Sequence, residues 1–285
     1  MIPAAFAYAR PTTVEEALQA IAEGGEDVKV MAGGQSLIPV MRLRLAAPET
    51  VVDLTRVEGL RGVREEGDQL VIGAMTTHAA VLTDPLLARY GQLLVQATET
   101  VADRQVRRRG TFGGALAHAD PAGDLPAVAL ALDAEFVIAG PSGRRTVGAA
   151  DFFVDYLTTA LEEGELLVEI RIPKLGEDWG VRYEKFNRVA QAWSIVAVAA
   201  AVRREGGRIA EARIGLTNMG PTPLRATATE AALVGVDVSL ETVTAAAAQA
   251  AEGTSPSSDL NAQADYRQHL AQVLTRRAVA AAVGL

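Results

Sequence analysis

VKVMAGGQSLIPVMRLRLAAPETVVDL, residues 28–54, sets the frame for the first part of the chain. Val28–Met31 reads as a strand, a short apolar run with glycine punctuation just upstream at Gly24-Gly25. Ala32-Gly33-Gly34-Gln35-Ser36 follows at once, and then the apolar run Leu37–Val40. Ser36 is a candidate N-cap for a short helix there, and Pro39 is tolerated in a first turn. Val51-Val52-Asp53-Leu54 reads as another strand. Upstream, Thr12–Ile21 carries a helix-start signal, with Thr12 or Thr13 as N-cap and Glu15 and Glu16 in the first turn. Residues 1–55 therefore read as a small α/β unit. Glycines without Cβ atoms let a backbone approach a ligand, and N–H groups there can hold phosphate oxygens, with the Ser36 hydroxyl as a further donor. A tight strand-to-helix turn asks for the same residues, so this segment alone decides nothing.

A second glycine-bearing segment, RRRGTFGGALAHADPAGDLPA at 107–127, repeats the theme. Thr111, Gly113 and Gly114 follow three arginines, Arg107, Arg108 and Arg109. Arginine suits anions, yet a triple run also reads as a solvated or interface face. Gly113-Gly114 equally fits a buried packing turn. His118, Asp120 and Asp124 offer three potential metal ligands, which would make a metal-dependent hydrolase; Asp124 as a helix cap before Leu125-Pro126 is the plainer alternative. A capping aspartate could also accept a hydrogen bond from a ligand N–H. Neither G-x-G-x-x-G nor G-x-x-x-x-G-K-[ST] occurs, so a Rossmann site and a P-loop are unsupported. Gly34-Gln35-Ser36-Leu37-Ile38 begins like a nucleophile elbow, but Ile38 stands where the second glycine belongs.

From residue 56 to 175 short strands alternate with helices: Gln69–Gly73, Ala134–Ala139 and Leu166–Ile172 are strand-like, and Leu86–Arg104 is largely helical in pattern. Beyond Pro173 the character changes. Arg182–Arg188, Ile195–Arg203 and Arg208–Leu216 are candidate strands, followed by helices at Ala226–Leu233, Leu240–Ala251 and Tyr266–Val283. Strands and then helices point to a separate α+β domain. The expected domains are 1–175, itself split near 55, and 176–285. A net charge of −8 argues against a nucleic-acid partner. The longest apolar stretch, Ile195–Val202, is far short of the roughly 20 residues a membrane span needs. The start, MIPAAFAYARP, lacks a signal's basic head and apolar run, so a cytoplasmic protein is expected. There is no cysteine, which excludes disulfides, thiolate zinc sites and cysteine-held iron–sulfur clusters within this chain.

AGGQSLIPVMRLRLAAPETVVDL and RRRGTFGGALAHADPAGDLPA, in that order, together with YEKFNR at 183–188 and LTNMGPTPLRA at 216–226, closely resemble the medium, FAD-binding subunit of carbon monoxide dehydrogenase and related xanthine-dehydrogenase-type molybdenum hydroxylases. The likeness runs essentially end to end. It implies an α+β chain: a vanillyl-alcohol-oxidase-like (PCMH-type) FAD-binding fold of two α/β subdomains, then a C-terminal domain of antiparallel sheet plus helices. FAD would be held around Ala32, Gly33, Gly34, Gln35, Ser36 and Leu37, and by Thr111, Gly113, Gly114 and Ala115. Asp124, Leu167 and Lys185 match positions that contact the cofactor in relatives. Relatives often carry histidine where this chain has Gln35 and isoleucine where it has Phe112. Trp193 reads equally as an ordinary core residue or as the aromatic that lies over the flavin. The resemblance further implies a large partner carrying the molybdenum cofactor and a small partner carrying 2Fe-2S clusters, in a dimer of heterotrimers. No residue of this chain is then expected to act on the organic substrate; its share is to bind, orient and tune the flavin. A stand-alone flavin oxidoreductase and a FAD-free scaffold are the other readings.

Overall fold

Thr13 caps the first helix in the computed structural model, which describes residues 1–285: its hydroxyl accepts the Glu16 N–H at 3.1 Å. That helix, α1 (Val14–Glu23), follows β1 (Ala7–Ala9) and leads to β2 (Val28–Met31); α2 (Leu37–Arg42) and β3 (Thr50–Asp53) complete the unit. The sheet order is β1-β3-β2, with both pairings parallel, so all three strands finish at one edge. Val14, Ala17 and Ile21 of α1 pack with Val52 of β3. β1 escapes sequence reading because three residues are too few to show a period, and two of them are exposed.

The middle of the chain is a second unit. β4 (Val63–Glu66) and β5 (Gln69–Gly73) are followed by a run of helices: α3 (His78–Val81), α4 (Pro85–Tyr90), α5 (Gln92–Glu99), α6 (Arg104–Arg109), α7 (Phe112–His118) and α8 (Asp124–Ala131). Then come β6 (Glu135–Gly140), β7 (Gly143–Gly148), α9 (Ala149–Phe152), β8 (Phe153–Asp155), β9 (Thr158–Thr159) and β10 (Leu166–Pro173). The five-stranded sheet, β4-β5-β10-β6-β7, is antiparallel throughout. Its two faces separate by alternation: Phe136, Ile138 and Ile170 face the helices, while Val137, Ala139 and Val168 pack toward the first unit. The stretch Leu86–Arg104 is largely helical, as expected, and divides into α4, α5 and the first residue of α6. Gly91 ends α4, Ala102 takes a positive φ of 41°, and Asp103 starts α6 by accepting the Gln105 and Val106 N–H groups at 2.8 Å.

β11 (Trp179–Phe186), β12 (Val196–Glu205), β13 (Arg208–Thr217) and β14 (Leu224–Arg225) form a four-stranded antiparallel sheet in that order. It is backed by α10 (Thr227–Leu233), α11 (Leu240–Ala247) and α12 (Ala264–Val283). β12 shows why a run of alanine and valine makes a central strand here. Val196, Val198, Ala200 and Val202 face α10–α12, whereas Ala197, Ala199 and Ala201 face the middle unit. Small side chains on that second face let the sheet approach α8 closely. The result is the expected α+β class, two α/β units followed by an antiparallel sheet with helices.

Candidate functional site

β2 delivers the chain into Ala32–Ser36, and α2 leaves from it. None of the N–H groups from Ala32 to Leu37 donates a hydrogen bond within the protein, although Gly33 and Gly34 are buried. Six successive donors are thus available to an acceptor from outside the chain. Gly34 has φ +76°, which disfavours a side chain. Gln35 is exposed, with its Nε2 3.4 Å from the Gly33 carbonyl. Ser36 precedes α2 as expected, but its hydroxyl makes no capping bond; it stays free for another partner.

The second loop is built differently. Thr111 caps α7, its Oγ1 accepting the Gly114 N–H at 3.1 Å. The Phe112 and Gly113 N–H groups donate to the Thr76 and Ala74 carbonyls, and Ala115 donates to Thr111. Here the glycines serve close packing. A Cβ at Gly113 would lie 2.7 Å from the Ala74 carbonyl oxygen, and one at Gly114 would lie 2.6 Å from Thr111 Oγ1 and 3.1 Å from Ala32 Cβ. A Cβ at Gly33 would come within 2.1 Å of the Arg109 carbonyl oxygen. The fold therefore presses the two glycine segments against each other.

Beside that junction lies a cleft of about 570 Å³ at the carboxyl ends of β1, β2 and β3, the edge where parallel α/β sheets bind ligands. Arg10, Arg61, Arg108 and Arg109 line it, together with Ala32 and Thr111. Asp53, at the end of β3, accepts the Tyr8 hydroxyl at 2.5 Å and the Thr55 N–H at 2.8 Å. Burial pushes the Asp53 carboxyl up, but these hydrogen bonds and the Arg10 charge outweigh it and hold the group below its ordinary range. Four guanidinium groups against one carboxylate make the cleft a receptor for an anion. Sequence reading missed Tyr8, Arg10, Asp53 and Arg61. The position of Asp53 at the end of the readable strand β3 was the available signal.

A third cluster surrounds Asp124. The residue is the first of α8 and Gly123 is the cap, which corrects the capping role read from sequence. Its carboxylate is buried and accepts three donors: the Tyr183 hydroxyl at 2.6 Å, the Ser194 hydroxyl at 2.7 Å and Lys185 Nζ at 2.8 Å. Lys185 also donates to the Thr100 carbonyl at 3.2 Å. Burial, and then the Asp124 charge, push the Tyr183 phenol well above its ordinary pKa, so it remains a neutral donor. Asp124 and Lys185 are thus brought together, with Tyr183 and Ser194 added by the fold. Leu167 is buried on β10, at a shift of register with β6, and its neighbour Val168 accepts the Ala74 N–H that precedes the second loop's contact. Trp193 is 56% exposed and stands beside Ser194; it is no core residue. His118 and Asp120 approach each other at 3.9 Å, but Asp124 is committed elsewhere, and no three His, Cys, Asp or Glu side chains are grouped to hold a metal ion. The metal-hydrolase alternative has no site.

Residues 4–175 match the family described as the FAD binding domain in molybdopterin dehydrogenase, and residues 181–282 match the CO dehydrogenase flavoprotein C-terminal domain. The chain belongs to the FAD-binding medium subunits of the molybdenum hydroxylases. It is 43% identical to the carbon monoxide dehydrogenase medium chain of Hydrogenophaga pseudoflava over 99% of this chain and 98% of that one. It is 37% identical to the nicotine 6-hydroxylase medium subunit of Paenarthrobacter nicotinovorans, over 96% of each. Among solved structures, carbon monoxide dehydrogenase from H. pseudoflava lacking the Mo-pyranopterin moiety superposes with a TM-score of 0.97 at 45% identity, covering 99% of both chains. Quinoline 2-oxidoreductase from Pseudomonas putida 86 gives 0.94 at 36% identity, covering 99% of this chain and 98% of that one. The residues of this medium subunit fit its cofactor: a dinucleotide's phosphates need the donor-rich loop and basic cleft that the first unit supplies. No helix is long and apolar enough to cross a membrane.

Proposed function

We propose that the subunit holds FAD across its two glycine segments and serves as the electron outlet of a cytoplasmic molybdenum hydroxylase. The observation that carries this reading is the row of six unengaged N–H groups at Ala32–Leu37 beside a cleft with four arginines. That row, with the Ser36 hydroxyl, binds the pyrophosphate; Thr111, Gly113, Gly114 and Ala115 shape the opposing wall. Gln35 borders the loop, and Leu167, Lys185, Asp124 and Trp193 surround the rest of the cofactor. The division of labour follows the expected domains: 1–175, with subdomains 1–55 and 56–175, binds FAD, and 176–285 closes the Asp124–Lys185 side.

Bound FAD supplies one- and two-electron chemistry. The chain's own residues bind it, orient it and set the charge around it. With no cysteine, the subunit carries no cysteine-held cluster, so electrons reach it from 2Fe-2S clusters on a small partner. They originate at a molybdenum centre on a large partner, within a dimer of heterotrimers. Relatives at 34–43% identity belong to complexes named for carbon monoxide, nicotine, glyceraldehyde and caffeine. Such a spread over nearly one chain supports substrate oxidation on another subunit. The test uses the assembled complex with Gly114→Val in this subunit. Substrate should still reduce the partner clusters while electron delivery to an external acceptor is lost. Acceptor reduction at the wild-type rate would refute the reading.

A further inference from the structure

One buried charge lies outside the residues proposed to hold the flavin. Arg267, near the start of α12, is 1% exposed, and a guanidinium taken out of water needs partners. Its Nη2 pairs with Asp259 at 2.8 Å. Its Nη1 donates to the Ile195 carbonyl, a backbone group of another element. Nε has no partner. The guanidinium thus joins Asp259 to the Ile195 carbonyl.

That carbonyl belongs to the residue after Ser194, one of the three donors to Asp124. The chain arriving there from Arg188 is largely exposed, Trp193 included. Order is imposed at the segment's end by three bonds. Asn218 Nδ2 donates to the Ser194 carbonyl at 2.8 Å, Ile195 N–H donates to the Phe186 carbonyl at 2.8 Å, and Arg267 holds the Ile195 carbonyl. Of these anchors only Arg267 carries a full charge, and only it ties the segment to α12. Charge-assisted bonds are about twice as strong as neutral ones.

We infer that Arg267 is a positioning residue for the flavin site: by gripping the Ile195 carbonyl it fixes Ser194, and through Ser194 it sets the Asp124 carboxylate against Lys185. The inference rests on the reading that Asp124 and Lys185 border the flavin. It gives the C-terminal helix a part in a site to which it contributes no ligand.

The experiment compares Ser194→Ala, Arg267→Met, Arg267→Lys and the Ser194→Ala/Arg267→Met pair in the full chain. Two readouts are taken: amine labelling of Lys185 in the FAD-free protein, followed by mass spectrometry, and FAD affinity with the position of the flavin absorption band. Each single variant lacking its donor should raise Lys185 labelling, weaken FAD about tenfold, as expected for one lost buried hydrogen bond, and shift the band. Arg267→Lys should restore part of each effect. Because both residues act on one carboxylate, the pair should lose little more than either alone. Should Arg267→Met fail to fold, Ser194→Ala and Arg267→Lys still decide the matter. Lys185 labelling unchanged across the variants, or effects that add in full, would overturn the inference. Raised labelling with FAD affinity and band unmoved would show that the relay exists but does not serve the flavin, which overturns both the inference and the placement of Asp124–Lys185 at the cofactor.

Discussion

Asp124 and Lys185 face each other at 2.8 Å with each side chain 4% exposed, and at such burial the loss of one charge strands the other. Asp124→Asn or Lys185→Met should each cost about 3–5 kcal/mol of unfolding free energy. The double variant should recover part of that, because no uncompensated charge is left. Denaturant unfolding of the four proteins checks this; strict additivity would contradict it. His78 offers a second test at this scale. It lies beneath the second loop, its backbone N–H donating to the Gly110 carbonyl and its Nδ1 without a partner. Burial, and then the Arg107 charge, lower its pKa from 6.5 to about 4. The unfolded chain therefore binds this proton more readily than the folded one. The contribution to stability is intact above about pH 6.5 and is lost as the pH falls toward 4, in total about 3 kcal/mol. Urea unfolding midpoints should fall less steeply over that range in His78→Gln than in the wild type. Identical slopes would contradict the assignment.

At the scale of elements, legibility followed the distance over which a feature is specified. β2, β5, β10, β12 and β13 were readable because a strand's apolar pattern is written in its own residues. The glycine segments were readable too, since tight turns and close approaches demand glycine locally. The break within 86–104 was not, because Ala102 and Asp103 set it by backbone conformation and capping against a strong helical pattern. Tyr183 and Ser194 could not be found at all: they meet Asp124 from 59 and 70 residues away. Arg10 and Arg61 join a cleft that exists only once the two units pack. The alternation in β12 carries its own prediction. Ala199 is fully buried on the face toward the middle unit, so Ala199→Leu should overpack that seam and cost about 1–3 kcal/mol, lowering the thermal midpoint by several degrees. Unchanged thermal unfolding would show that the seam has room to spare.

Across the whole molecule, each of the three units contributes one feature. The parallel sheet ends at a basic cleft, the middle unit presses its glycine turn against the first loop, and the C-terminal sheet closes over Asp124 with Tyr183, Lys185 and Ser194. On the proposed reading, FAD would take its phosphates at the junction of the first two units, beside the basic cleft. The most direct test is the visible spectrum of the purified chain after FAD is added and the excess removed, with Gly114→Val treated alongside. Near-stoichiometric flavin bands that bleach on dithionite, and that are lost in the variant, are the predicted result. A wild-type chain without flavin bands, or a variant that retains them equally, would contradict the account.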